Sequence, residues 1–218
     1  MEINQEPEQE ERRPRINFLT VIVALIIIIA LIAWMFPIYR IKVDPQPERI
    51  PTIDELNLNI PSTQGLNSTD RGFIELLNPA DSFIKTTANR IVNIGCSKVT
   101  KQEKVCHAKV LFYFVRDNIN YVNDPVAREY LASPAETLYG ESGDCDDYSI
   151  LLANLLQAVG IQTRYVFVPG HVFVQARIPD ALKNYKTELD WVSLDATCSN
   201  CEFGELSFQV QNSNKRYL

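Results

Sequence analysis

Five cysteines and two histidines are the residues of this 218-residue chain that could carry nucleophilic chemistry. Cys145 stands in Gly143-Asp144-Cys145-Asp146-Asp147, at the predicted start of a long helix. Backbone N–H groups and the helix dipole at such a position stabilise a thiolate, the nucleophilic form of the side chain. His171 opens one predicted strand and Asp195 lies in another. Period two places His171, Phe173 and Gln175 on one face of the first, and Trp191, Ser193 and Asp195 on one face of the second. If the two strands pair antiparallel, imidazole and carboxylate sit side by side, and the helix end delivers the sulfur to them. That is the logic of nucleophile, base and orienting acid. Spacing alone leaves open whether the three meet. Asp144, Asp146 and Asp147 work against the thiolate, so an imidazolium at His171 has to compensate. For Asp146 the plain reading is charge complementarity with the helix N-terminus. Glu141, Asp144, Asp146 and Asp147 could be taken as a calcium cluster, but the ligand ladder of an EF-hand is absent, and no metal is expected.

The elements that must position these residues follow from periodicity. Asp81 or Ser82 can cap a helix whose apolar positions are Phe83, Ile84, Ala88, Ile91 and Val92. Val105, Ala108, Phe112, Val115 and Ile119 mark a second helix at spacings of three and four. Ser133-Pro134-Ala135-Glu136 reads as a cap, a proline at the first helical position and a short helix through Leu138. The helix from Cys145 to Val159 uses Ile150, Leu151, Leu152, Leu155 and Leu156, and Gly160 stops it. Beyond it the period changes to two. Thr163–Val168, His171–Ile178 and Trp191–Ala196 read as strands, with a tight turn at Pro169-Gly170. Helices followed by antiparallel strands give an α+β domain.

With these pieces in order, residues from roughly 103 to 197 resemble the transglutaminase-like superfamily, a papain-like group of thiol enzymes. The likeness rests on Ser133-Pro134-Ala135-Glu136-Thr137-Leu138, Gly143-Asp144-Cys145-Asp146-Asp147-Tyr148, Leu151-Leu152 and Ala158-Val159-Gly160-Ile161. His171-Val172-Phe173-Val174 and Trp191-Val192-Ser193-Leu194-Asp195-Ala196-Thr197 complete it. The resemblance implies a transglutaminase-like core with a nucleophile-bearing helix packed on an antiparallel sheet. It implies Cys145 as nucleophile, His171 as base and Asp195 as the residue orienting it, with the Cys145 backbone N–H in the oxyanion hole. Asp147 matches the family's aspartate, which holds the loop. The chain departs from cross-linking members at Asp146, Phe173 and Ala196, where Trp, Trp and Pro are usual; these leave the triad intact and weaken a cross-linking role. Two functions follow as expectations. One is a thiol enzyme acting on an amide or peptide bond through a Cys145 thioester, by hydrolysis or acyl transfer. The alternative is a non-catalytic peptide- or glycan-binding module that retains the fold. The expected substrate is a protein, peptide or glycopeptide, and no cofactor is implied, since thiol chemistry needs none.

The other cysteines form natural pairs. Cys96 and Cys106 flank a short polar connection, and Cys198 and Cys201 follow Asp195 directly, where a bridge would pin the end of its strand. A zinc site is a rival, but C-x9-C is a poor first half for one. A thioredoxin-like role for Cys198–Cys201 fails for want of a following helix. Pairing leaves Cys145 as the odd thiol and favours an oxidising compartment. His107, beside Cys106, reads as an ordinary surface or half-buried side chain.

From Phe18 to Phe36 the chain has 19 residues without a charge. A helix of that length rises roughly 28 Å, about one bilayer core. The run is too long for a signal-peptide core and no small-residue cleavage site follows it, so a retained anchor is expected. Three basic residues precede it (Arg12, Arg13, Arg15) and three follow (Arg40, Lys42, Arg49), so the positive-inside rule is a tie. The cysteines break it. The expected organisation is a cytoplasmic acidic tail over 1–17, a transmembrane helix over 18–38, a Pro-rich spacer over 39–69 and an extracytoplasmic domain over 70–218. Five of the twelve prolines fall between residues 37 and 61, which motivates the spacer. Asn67-Ser68-Thr69 is a glycosylation sequon that mildly favours exposure outside the cell. The net charge of −6 excludes a general nucleic-acid binder.

Overall fold

The computed structural model describes residues 17–124 and 130–218. The chain divides into two compact units, residues up to 40 and residues from 41 on. The described part of the first unit is helix α1 (Phe18–Val43), which runs on to the first residues of the second unit. Its side chains from Phe18 to Met35 are exposed, and among the described residues it is the one helix long and apolar enough to cross a bilayer. The helix continues to Val43, past the expected end at 38. Asp44-Pro45 terminates it, because a residue before proline is disfavoured in the α region.

The second unit begins with the segment read as a spacer, and from Asp44 onward that segment packs on the domain. Asp44, Ile53 and Leu56 are buried, and Ile50, Leu58 and Ile60 lie against the core. The segment contains a short 3₁₀ turn (Asp54–Leu56), and Ile53 and Leu56 turn inward there. Strand β1 (Leu66–Asn67) and helices α2 (Asp70–Glu75), α3 (Ser82–Gly95) and α4 (Glu103–Asn118) follow. Asp81 caps α3 as expected, accepting the N–H groups of Phe83 and Ile84. Helix α4 is buried well beyond one stripe: Val110, Leu111 and Phe114 are inaccessible along with Val105, Ala108, Phe112 and Val115. The segment 44–58 supplies the extra cover. Glu48 N–H donates to the Gly95 carbonyl at 2.7 Å, and a Cβ on Gly95 would stand 2.4 Å from Val110 and 3.0 Å from the Arg49 carbonyl.

Next come β2 (Asn120–Tyr121), β3 (Tyr130–Leu131), α5 (Pro134–Gly140), β4 (Ser142–Gly143) and α6 (Cys145–Ala158). The strands β5 (Thr163–Val168), β6 (His171–Arg177), β7 (Lys186–Glu188) and β8 (Trp191–Leu194), then α7 (Phe208–Gln211) and β9 (Arg216–Tyr217), complete the chain. The five-stranded sheet has the order β7-β8-β6-β5-β9 with antiparallel neighbours. Val172, Val174 and Ala176 face the helical core with Leu151, Leu152 and Leu155 of α6. Val166, Val168 and Phe173 face the other way, under Leu206 and Val210 of the C-terminal segment. Burial of this order is worth roughly 25 cal/mol per Å² of apolar area, so the helix layer and the C-terminal flap both hold the sheet. The mixed α+β architecture, with α6 on an antiparallel sheet, is the one the sequence predicts.

Candidate active site

Cys145 is the first residue of α6, and its local frame is built from the two carboxylates around it. Asp144 is the N-cap: its Oδ1 accepts the Asp146 N–H at 2.9 Å, and its side chain also takes the N–H of Asp147. Asp147 answers with Oδ2 on the Asp144 N–H at 3.2 Å, and its Oδ1 accepts the Ala132 N–H at 2.7 Å. One buried carboxylate therefore closes the capping box and ties the loop before α5 to the helix start. Gly143 has to be a glycine here, since a Cβ would lie 2.6 Å from that of Asp147.

Cys145 is half-buried and is the free thiol, the other four cysteines being consumed in two disulfides. The Cys96–Cys106 pair spans 6.1 Å between Cα atoms and Cys198–Cys201 spans 5.3 Å. The sulfur receives the Val172 N–H, next to His171 in the chain, and its thiol points to Asp146 Oδ1 at 3.6 Å. Burial first, and then the negative charges of Asp146 and Asp144, push the thiol up to about 12. Here the structure departs from the expectation of a stabilised thiolate: desolvation and two adjacent carboxylates outweigh the helix N-terminus. Burial likewise raises Asp144 to about 6, with Asp146 adding to it, and Asp147 to about 7.

His171 and Asp195 meet as the sequence predicts. Strands β6 and β8 pair antiparallel, and His171 Nε2 lies 3.0 Å from Asp195 Oδ2. Asp195 is 3% exposed, so its charge is spent on its partners rather than on water. Its other oxygen accepts the Thr197 hydroxyl at 2.7 Å and the Thr197 N–H at 3.3 Å. Phe173 stacks beside the imidazole with ring centroids 6.4 Å apart. The structure thus joins His171 to Asp195 directly, and brings Cys145 to the first residues of the same strand through the Val172 N–H.

Three residues at the site have no site role assigned from the sequence. Thr197 braces the carboxylate from beyond the strand end. Ser68, inside the sequon, donates to Asp146 Oδ2 at 3.1 Å, while Thr69 caps α2. Tyr121 is half exposed and pairs in register with Gly143, two residues before the thiol. Its hydroxyl is raised by burial and then by the negative charge of Cys145, Asp144, Asp146 and Asp195. Among the described residues, Asp144, Cys145 and Asp146 form a group whose ligand atoms lie within 4.8 Å of one another. Glu141 and Asp147 are outside that group.

Residues 92–196 match the family model of the transglutaminase-like superfamily. No curated protein matches the chain. A solved structure from Cytophaga hutchinsonii, described provisionally as a cysteine protease, is similar at 18% identity with a TM-score of 0.38. The likeness covers 60% of this chain and 44% of that one. Residues 92–196, the stretch similar to the transglutaminase-like superfamily, hold the cysteine helix and both strands of the His–Asp pair.

Proposed function

We propose that the chain is a membrane-tethered thiol enzyme that attacks an amide or peptide bond of a protein, peptide or glycopeptide. The observation that carries this reading is the Asp195-bound imidazole of His171 at the head of the strand that also contacts the free thiol. Nε2 is committed to Asp195, so Nδ1 is the nitrogen that takes the proton. The raised thiol means that His171 acts as a general base during attack, rather than holding a resting ion pair. The C–S bond forms, the carbonyl electrons move to oxygen, and His171 passes the proton to the leaving amine as C–N breaks. The capping bonds of Asp144 go to Asp146 and Asp147, so the Cys145 N–H lies outside the cap and serves the oxyanion. Water or an amine then resolves the thioester. No metal or cofactor enters these steps.

The full-length protein in detergent, treated with p-nitrophenyl acetate, should show a burst and an acetyl group on Cys145 by mass spectrometry. His171→Ala should slow acylation by about 100-fold, the usual scale for a general base. Acylation that is absent, or indifferent to His171, would refute the enzyme reading. The second reading, a peptide- or glycan-binding module, is favoured by one observation, the burial and negative surroundings that suppress the thiolate. It predicts no turnover.

The anchor reading places residues 18–38 in the bilayer, the N-terminus in the cytoplasm and the domain outside. The length of α1 and the two disulfides support it. External protease on intact cells should degrade the domain. Its survival, with degradation only after lysis, would reverse the topology.

A further inference from the structure

The nucleophile has a hydrogen-bond acceptor that the attack step does not use. The Cys145 thiol points to Asp146 Oδ1 at 3.6 Å, while the imidazole of His171 is bonded through Nε2 to Asp195. Among the described residues, the acceptor of the thiol is therefore a carboxylate and not the base. The second oxygen of that carboxylate, Oδ2, accepts the Ser68 hydroxyl at 3.1 Å. Asp146 thus stands between a serine and the nucleophile, with one oxygen on each.

Ser68 is set in place from both sides. Behind it, β1 pairs antiparallel with β3, Leu66 opposite Leu131 and Asn67 opposite Tyr130. Gly65 lets that ladder close: its N–H donates to the Tyr130 hydroxyl at 2.7 Å, and a Cβ there would run into the Leu131 carbonyl. Ahead of it, the Thr69 hydroxyl caps α2 by accepting the Gly72 N–H at 3.0 Å. The two paired strands then reach two successive residues of α6. Ala132, which follows β3, donates to Asp147, and Ser68, which follows β1, donates to Asp146. Asp147 closes the capping box, and the Asp146 side chain is not a member of it. The helix cap therefore does not orient the Asp146 carboxylate, whereas the Ser68 bond does. Ser68 also lies outside residues 92–196, so the family match does not supply it.

We propose that Ser68 is a positioning residue that holds Asp146 against the nucleophile, so that the resting thiol is turned to the carboxylate and away from His171. The inference rests on the thiol-enzyme reading above. A carboxylate accepts at both oxygens, so a fixed donor on Oδ2 sets the direction in which Oδ1 is offered. Attack then begins with a turn of the thiol. The S–H leaves Asp146 Oδ1 and reaches Nδ1 of His171, which takes the proton as sulfur bonds to the carbonyl carbon. The titratable groups that bear on the sulfur are Asp144 and Asp146 of its own helix, Tyr121 on β2, and the His171–Asp195 pair of the sheet. Of these, Asp146 is the one that accepts its hydrogen.

The test alkylates full-length protein in detergent with iodoacetamide and follows Cys145 by mass spectrometry, at pH 8 and across the alkaline range. Ser68→Ala should speed labelling at pH 8 by up to about tenfold, the scale of one hydrogen bond, and move the rate profile to lower pH. Ser68→Thr, which keeps the hydroxyl, should label like the wild type. In an Asp146→Asn background there is no carboxylate left to direct, so Ser68→Ala should add nothing, the non-additivity expected of residues that act through one another. A contact that only fastens the chain would lower the melting temperature and leave every one of these rates as it was. Ser68→Ala labelling no faster than the wild type, or accelerated by the same factor with and without Asp146, overturns the proposal. Acetylation by p-nitrophenyl acetate is measured separately. A wild type that is alkylated at Cys145 but never acetylated there overturns the enzyme reading itself.

Discussion

The decisive residue is Cys145, because its environment opposes the form it must take to react. Burial, Asp146 and Asp144 together raise the thiol to about 12, in that order of weight. At neutral pH a free cysteine is a few per cent thiolate, and this one is far less. Iodoacetamide should therefore label Cys145 at pH 8 more slowly than the same chain unfolded in urea. Asp146→Asn keeps the side-chain shape and the Ser68 contact while removing one charge, so it should speed labelling several-fold at that pH, the effect of relieving a like charge at a few ångströms. Labelling as fast as in urea, or unchanged by Asp146→Asn, would show that the carboxylates do not govern the thiol. The sequence made this conflict visible, since three aspartates crowd one cysteine within four residues. It left the winner open, because desolvation is a property of the packed chain and not of the neighbours in sequence.

At the level of elements, α6 and its cap place the thiol, and Asp147 is the joint. Its two oxygens accept the N–H groups of Ala132 and Asp144, which favours the carboxylate, yet burial is the larger effect and holds it at about 7. The ordinary value is 3.8. Between the two the folded chain binds this proton more tightly than the unfolded chain, so unfolding releases a proton and stability falls as pH rises. Asp144, raised to about 6, adds to the same slope over the lower part of the window. Melting temperature should decline from about pH 4 to pH 7, and the decline should be shallower in Asp147→Asn, whose own melting point is lower because its amide faces an N–H donor, a cost of about 1–3 kcal/mol. A wild-type melting curve that rises across that window would contradict the burial of Asp147. The elements that carry the site were legible for a physical reason: α6, β6 and β8 are bounded by a cap, a Pro-Gly turn and a clean change of period. The flap formed by residues 203–213 was not, since α7 is four residues long and its apolar residues have no periodic neighbours to reveal a face.

For the whole molecule, the segment that follows α1 is fastened to the domain rather than free of it. Asp44 is the residue after the helix end, and its carboxylate is buried against Lys109, with Nζ 2.5 Å from Oδ1. Gln46 and Tyr185 donate to the other oxygen at 2.7 and 2.8 Å, and the ammonium lies over the Tyr185 and Phe203 rings. This ties the start of the domain to α4 and to a loop 141 residues away in sequence. A buried pair is costly to form and more costly to break, because either partner alone is a charge without water. Lys109→Met should therefore destabilise the domain by about 3–5 kcal/mol, and adding Asp44→Asn should restore a substantial part of that loss. Urea unfolding of both variants in detergent measures the difference, and a double variant no more stable than Lys109→Met alone would mean that the lysine contributes through its stem and not its charge. A composition rich in proline conceals such a latch: the partner of Asp44 stands 65 residues downstream, at a helix position whose charge alone would have assigned it to the surface.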